Sequence, residues 1–356
     1  MRSPRESQTT TPRVLVALSG GVDSAVAAAL LVEQGYDVIG ATLHLWAERG
    51  SGDVDAERLA RRVAEMLDIP FHLINAESAF KERVVDYFVA EYGAGRTPSP
   101  CVLCNRFVRF GFLLDRALAM GATGVATGHY ARVRRSGERY QLLRGRDSGK
   151  DQSYFLHALS QRQLSHALFP LGELTKVEVR AIARERGLPV AGAPESQDIC
   201  FLAQPDYRRF LAAYAPDLFR PGPIRDSSGR VVGQHRGLPG YTVGQRKGLD
   251  VPASEPLYVL TVRPAENTLI VGTADELGQE ECVVEKMHYV SGETISTPFR
   301  STAQVRYRAR PSAVTVTPLG SDGIHARFSS PQRAVAPGQF LVLYDGDVVL
   351  GGGAIS

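Results

Sequence analysis

Two short stretches of this chain hold residue types that do chemistry at close spacing. The first is Ser19-Gly20-Gly21-Val22-Asp23-Ser24, which follows the apolar run at 14–18. Glycines let backbone N–H groups approach phosphate oxygens, and a helix starting near Ser24 adds the partial positive charge of its N-terminus. A carboxylate among phosphates repels them unless a divalent cation stands between, so Asp23 is expected to meet Mg²⁺. A plain strand-to-helix turn would account for the glycines, but not for the Ser, Asp and Ser beside them. Nor is this a Walker A loop: that motif ends in Lys followed by Ser or Thr, and the nearest candidate, 145–150, is one residue short and lacks the hydroxyl.

The second stretch is Cys101-Val102-Leu103-Cys104-Asn105, with Cys200 and Cys282 further on. Four cysteines are too few for a disulfide-stapled scaffold, and a C-x-x-C pair in a reducing compartment suggests metal or redox chemistry. Asn105 reads as a helix N-cap. A thiolate just ahead of a helix start has its pKa lowered by the dipole, so Cys104 is expected to be a reactive thiol. Cys282 reads as a small buried apolar side chain.

These residues need a frame. Apolar runs at 14–18, 38–45 and 71–74 alternate with helical patterns at 24–34 and 55–67, which predicts βαβαβ and a parallel sheet covered on both faces. A helix over about 77–92, a Gly/Pro-rich loop over 93–100 and a strand at 124–127 follow. Gly128 and His129 then fall at the carboxyl end of that strand, where open α/β sheets bind ligands. Composition turns to Gly, Pro and Arg over 219–248, predicting a small irregular module with a boundary near Gln204. After about 267 short alternating runs predict an all-β end, a small barrel. The expected organisation is a lead-in over 1–12, disordered, then units over 13–204, 205–275 and 276–356.

In order along the chain, Ser-Gly-Gly-Val-Asp-Ser, the loop 97–105 (TPSPCVLCN), Ala126-Thr127-Gly128-His129-Tyr130, Lys150-Asp151-Gln152-Ser153-Tyr154, Ser196-Gln197-Asp198-Ile199-Cys200-Phe201 and the stretch 240–248 (GYTVGQRKG) resemble the tRNA-specific 2-thiouridylases. Those enzymes belong to the PP-loop ATP pyrophosphatases, whose N-terminal domain is a Rossmann-like sheet of the adenine nucleotide alpha hydrolase type. The resemblance implies ATP-dependent 2-thiolation of the wobble uridine in the anticodon region of tRNA. Adenylation turns the uracil C2 oxygen into a leaving group, with AMP and pyrophosphate as products.

It further implies Cys104 as nucleophile and Cys200 as persulfide carrier, a Cys104–Cys200 disulfide to be reduced between turnovers, and a sulfur donor such as a cysteine desulfurase or sulfur-relay protein. ATP contacts would be Ala17, Leu18, Ser19, Gly20, Gly21, Val22, Asp23, Ser24, Leu43 and Gly128. Contacts to tRNA would be Ser99, Pro100, Cys101, His129, Lys150, Asp151, Gln152, Arg306, Tyr307 and Gln339. Many relatives carry Asp three residues before the nucleophile; this chain carries Cys101. Cys101, Cys104 and Cys200 could therefore instead hold three irons of a [4Fe–4S] cluster with the last iron open to sulfide. A zinc site would want a further ligand and ranks below both.

Residues two apart share a strand face, so a strand over 304–310 would place Gln304, Arg306, Arg308 and Arg310 together, a row suited to a phosphate backbone. With 41 basic and 38 acidic side chains the net charge is only +3, so any RNA site must be a local patch. No run approaches the ~18 apolar residues of a membrane span, and the cytoplasm is the expected compartment. Two other readings compete: a PP-loop enzyme that adenylates a different substrate, and a catalytically silent RNA-binding scaffold.

Overall fold

The computed structural model describes residues 11–46, 54–192, 199–202, 204 and 206–356. The expected lead-in up to residue 10 and the Ser196-Gln197-Asp198 part of one motif lie outside the described residues.

Five parallel strands form the first sheet, in the order Phe71–Asn75, Asp37–His44, Arg13–Ala17, Val125–Ala126, Ala167–Leu168. The chain moves outward one way from Arg13–Ala17, then returns to add Val125–Ala126 on its other side. That reversal opens a crevice beyond the carboxyl ends of these two strands, where residues 18–24 and 127–130 sit. Helix Val22–Glu33 is rich in Ala because it is packed almost all round: Ala25, Ala27, Ala28 and Ala29 are buried, and it lies against helix Lys176–Glu185. The expected parallel Rossmann-like sheet is present.

Two long helices carry the cysteine region. Residues 77–93 are continuous and include a π-helical turn, Lys81–Val85. Residues 100–119 are continuous too, with a π-helical stretch, Cys104–Phe112, between α-helical ends. Part of the cause is visible: the Gln163 amide donates to the carbonyls of Arg106, at 2.6 Å, and Phe110, at 2.9 Å, drawing them from the ordinary ladder. Gln163 is itself fixed as the reciprocal partner of the Ser160 cap. The Cys104–Asn105 expectation is corrected here. The helix begins at Pro100, after Ser99, so Asn105 is not its cap and Cys104 lies within it.

The module expected to be irregular is a four-stranded sheet, ordered Tyr258–Arg263, Thr268–Gly272, Gly222–Asp226, Val231–His235. The C-terminal part is a six-stranded barrel closed between Gly278–Tyr289 and Val348–Ile355, with Val284, Val316, Ile324, Ala326, Leu341 and Leu343 in its core. Hairpin Ala131–Ser136/Arg139–Arg144 of the first domain extends the barrel sheet, with Leu143 opposite Val348. The expected strand over 304–310 is corrected: Phe299–Gln304 ends there, and the chain turns, with Arg308 at φ 62°. Gln304 points inward and is buried, whereas Arg306, Arg308 and Arg310 remain exposed.

Candidate active site

The phosphate loop is closed on itself. Ser24 Oγ accepts from Ser19 N at 3.1 Å and donates to Gly21 O at 3.0 Å, while Leu18 O accepts from Thr42 Oγ1 at 2.8 Å. Gly20, at φ 73°, lies so near the start of helix Val54–Met66 that a Cβ would stand 2.5 Å from Ala56 O. Gly128 packs on the loop from the neighbouring strand, where a Cβ would meet Asp23 C and Ser24 N at 2.7 Å. Gly21 caps helix Val22–Glu33 without a side-chain bond, so the first-turn N–H groups face the crevice as an anion site requires. Leu43, half-buried in the second strand, and Ala17 border the same sheet end.

Asp23 has a partner the sequence reading missed. Lys176 Nζ donates to both carboxylate oxygens, at 2.7 and 2.8 Å, and the Tyr130 hydroxyl donates to Oδ1 at 2.8 Å. The ammonium group is nearly buried at the head of helix Lys176–Glu185. The signal available in the sequence was Thr175-Lys176-Val177-Glu178, a capping box that fixes where that helix starts.

The cysteines gather near Arg109, which faces His129 at the same strand end. Cys101, Cys104 and Cys200 share one region with the guanidinium of Arg109, close enough for their charges to interact. Cys104 is buried among Phe80, Phe88, Val108 and Phe201, whereas Cys101 and Cys200 keep solvent access although protein surrounds them on most sides. Desolvation pushes the Cys101 thiol up to about 11 and the Cys104 thiol up to about 12, and raises Cys200 as well; Arg109 opposes the rise in all three. The expectation of a lowered Cys104 pKa is therefore corrected. Its helix starts a turn earlier, and apolar burial outweighs the dipole.

Arg109, also absent from the sequence reading, is five residues beyond Cys104. A helix wound with i to i+5 bonds stacks such residues on one face. Its Nη1 donates to Asn105 Oδ1 at 3.4 Å and faces His129 Nε2 at 3.5 Å. His129 is buried, with Nδ1 on Thr127 Oγ1 at 2.7 Å, and desolvation together with Arg109 lowers its pKa to about 3. The imidazole is neutral at physiological pH.

The expected tRNA residues divide into two kinds. Ser99 and Pro100 are buried in a loop stapled from two directions: Pro337 O accepts from Thr97 N at 2.8 Å, and Gln339 Nε2 donates to Thr97 O at 2.9 Å, while Thr97 Oγ1 meets Thr242 Oγ1 at 3.2 Å. Gln339 thus holds the cysteine loop to the barrel. Asp151 is turned inward to Arg144, Gly145 N and Ser153; Tyr307 rests on Phe155 with ring centroids 4.3 Å apart; Lys150 and Arg306 are on the surface side. Cys282 is half-buried against the barrel core and its thiol is pushed up to about 12 by that burial.

Family models match nearly the whole chain: "tRNA methyl transferase HUP domain" over 12–204, "tRNA methyl transferase PRC-barrel domain" over 208–273 and "Aminomethyltransferase beta-barrel domain" over 279–355. The chain is 49% identical over 351 residues to a tRNA-specific 2-thiouridylase of Moorella thermoacetica, covering 96% of this chain and 98% of that one. It is 46% identical over 352 residues to one of Herpetosiphon aurantiacus, covering 97% and 98%. This chain belongs to the tRNA-specific 2-thiouridylase family. In this 2-thiouridylase, residues 127–130 link the two regions, His129 facing Arg109 and Tyr130 bonding Asp23. Among the described residues no helix is long and apolar enough to cross a membrane.

Proposed function

We propose that this protein replaces the C2 oxygen of the wobble uridine in tRNA with sulfur at the expense of ATP, in the cytoplasm. The observation that carries the reading is the strand end 127–130, where Tyr130 bonds Asp23 of the glycine loop and His129 faces Arg109, whose charge acts on Cys101, Cys104 and Cys200. The uracil O2 attacks the α-phosphorus of ATP held by Ser19–Ser24, and pyrophosphate leaves. A persulfide on Cys200, supplied by a cysteine desulfurase or sulfur-relay protein, then brings sulfur to C2. Cys104 attacks the Cys200 sulfur, the terminal sulfur is released onto C2, and AMP departs. The Cys104–Cys200 disulfide left behind takes two electrons from a thiol reductant.

Burial favours neutral thiols until substrate arrives, and Arg109 is the group that stabilises a thiolate when it forms. Neutral His129 holds the Arg109 guanidinium on Nε2 and Thr127 on Nδ1 without adding a second positive charge beside it. Mg²⁺ fits at Asp23, whose carboxylate is one-third exposed, and there it would neutralise pyrophosphate; Lys176 would share or yield its place. A [4Fe–4S] cluster fits less well. Among the described residues no three such donors converge to hold a metal ion, and a guanidinium sits among the thiols. Methyl transfer, the word in the family models' descriptions, calls for neither a phosphate loop nor paired thiols.

The test is incubation of enzyme, ATP, a persulfide donor and unmodified tRNA. Nucleoside analysis should show 2-thiouridine, with AMP and pyrophosphate formed in step. AMP release without thiolated nucleoside would overturn the reading, and thiolation by iron-free enzyme would exclude the cluster.

A further inference from the structure

Gln152 lies in the segment 150–152 that was expected to touch RNA, yet its backbone N–H and side-chain Oε1 face inward. Its backbone N–H donates to Tyr130 O at 2.9 Å and its side-chain Oε1 accepts from Tyr130 N at 3.1 Å, so the peptide of Tyr130 is gripped on both sides. A third contact fixes the same carbonyl. Gly145 packs so closely that a Cβ would lie 2.8 Å from Tyr130 O, and Gly145 is held there by Asp151 Oδ1 at 3.0 Å. Tyr130 is buried, and its hydroxyl ends on Asp23 at 2.8 Å. Beyond Asp151 the connections continue outward: Arg144 bonds both Asp151 Oδ2 and Gln304 Oε1 at 3.1 Å and lies 3.5 Å from the Tyr344 ring centre, two residues from Arg306 at Gln304.

We propose that Gln152 is a positioning residue for the ATP half of the reaction: it holds Tyr130, and Tyr130 holds Asp23, so that Gln152 acts on the nucleotide site. The physical basis is that Lys176 holds both oxygens of Asp23 whereas the Tyr130 hydroxyl holds Oδ1 alone, so the hydroxyl fixes the rotation of the carboxylate. A hydrogen bond to a charged group, once lost, costs about tenfold or more in an affinity. The inference rests on the reading of Ser19–Ser24 as the ATP loop.

The experiment is steady-state AMP formation against ATP concentration, with unmodified tRNA saturating, for wild type, Gln152→Ala, Tyr130→Phe and the double variant. Binding of each to labelled tRNA is followed by fluorescence anisotropy. Tyr130→Phe keeps the ring and so keeps the fold testable. Each single change should raise the KM for ATP by about tenfold, the double variant by no more than either, and tRNA affinity should stay within about twofold of wild type. The proposal is overturned if Gln152→Ala weakens tRNA binding by about tenfold with the KM for ATP unchanged, or if the two single effects multiply in the double variant. Failure of the underlying ATP reading looks different: wild type itself would form no AMP.

Discussion

Arg109 faces Nε2 of His129 at 3.5 Å, which leaves the ring proton on Nδ1, directed at Thr127 Oγ1. The positive charge of Arg109 is thereby aimed by the helix that carries Cys101 and Cys104, and the strand end beside the glycine loop supplies a neutral partner. Arg109→Ala should slow alkylation of Cys200 at pH 8 by about tenfold, because each pKa unit is a factor of ten in thiolate. Iodoacetamide labelling read by mass spectrometry checks this. Labelling should rise with pH throughout the range 7 to 9.5, and Cys104, being buried, should be the slowest of the three.

Lys176→Met should reduce AMP formation by about a hundredfold or more, the scale of losing a preorganised group that meets developing phosphate charge. Binding of tRNA should be unaffected. A loss of tRNA binding of the same size would place Lys176 in a purely structural role.

Gly128→Ala puts a Cβ within 2.7 Å of backbone atoms of Asp23 and Ser24, so either the loop or the strand end must shift. The expected outcome is an ATP Kd raised by about tenfold together with a thermal midpoint lowered by a few degrees, from titration calorimetry and a melt.

His129 and His157 are both neutral in the folded protein, lowered to about 3 and about 4, in each case chiefly by desolvation. The unfolded chain binds protons at both near pH 6.5, so stability is full above that value and falls as pH drops toward 4. Each histidine contributes a slope of about 1.4 kcal/mol per pH unit in that window. His157 donates from Nδ1 to Tyr154 O at 2.7 Å, and its replacement by Gln should flatten the slope measured by urea unfolding at pH 5 to 6.5. An unchanged slope would remove His157 from the account.

Arg306, exposed just past the end of its strand, should contact a phosphate. Arg306→Ala should weaken tRNA binding and reduce the slope of log affinity against log salt by about one. Equal slopes would count against a contact.

The parallel sheet and the phosphate loop were legible because a switch of apolar period from two to three or four, punctuated by Gly20 and Gly21, is a local signal. Arg109 and Lys176 were not. Neither was singled out, since nothing near it in sequence tells that a thiol or Asp23 will be its neighbour. Cys104 misled for a related reason: Asn105 resembles a cap, but Pro100 starts the helix earlier, and the apolar residues that raise the thiol pKa come from 80–88 and 201. The arginine row expected from a strand face is not formed, because the strand ends at Gln304 and the chain turns at Arg308, although Arg306, Arg308 and Arg310 are each exposed.

The hairpin Ala131–Arg144 belongs in sequence to the nucleotide domain and in hydrogen bonding to the barrel. A fragment ending near residue 204 would thus retain the phosphate loop and every thiol of the cluster, yet leave the Leu143 side of that hairpin as a bare sheet edge. Such an edge pairs with whatever strand it meets. Limited proteolysis between the domains should yield pieces that stay together, or precipitate once parted, rather than a free-standing nucleotide domain.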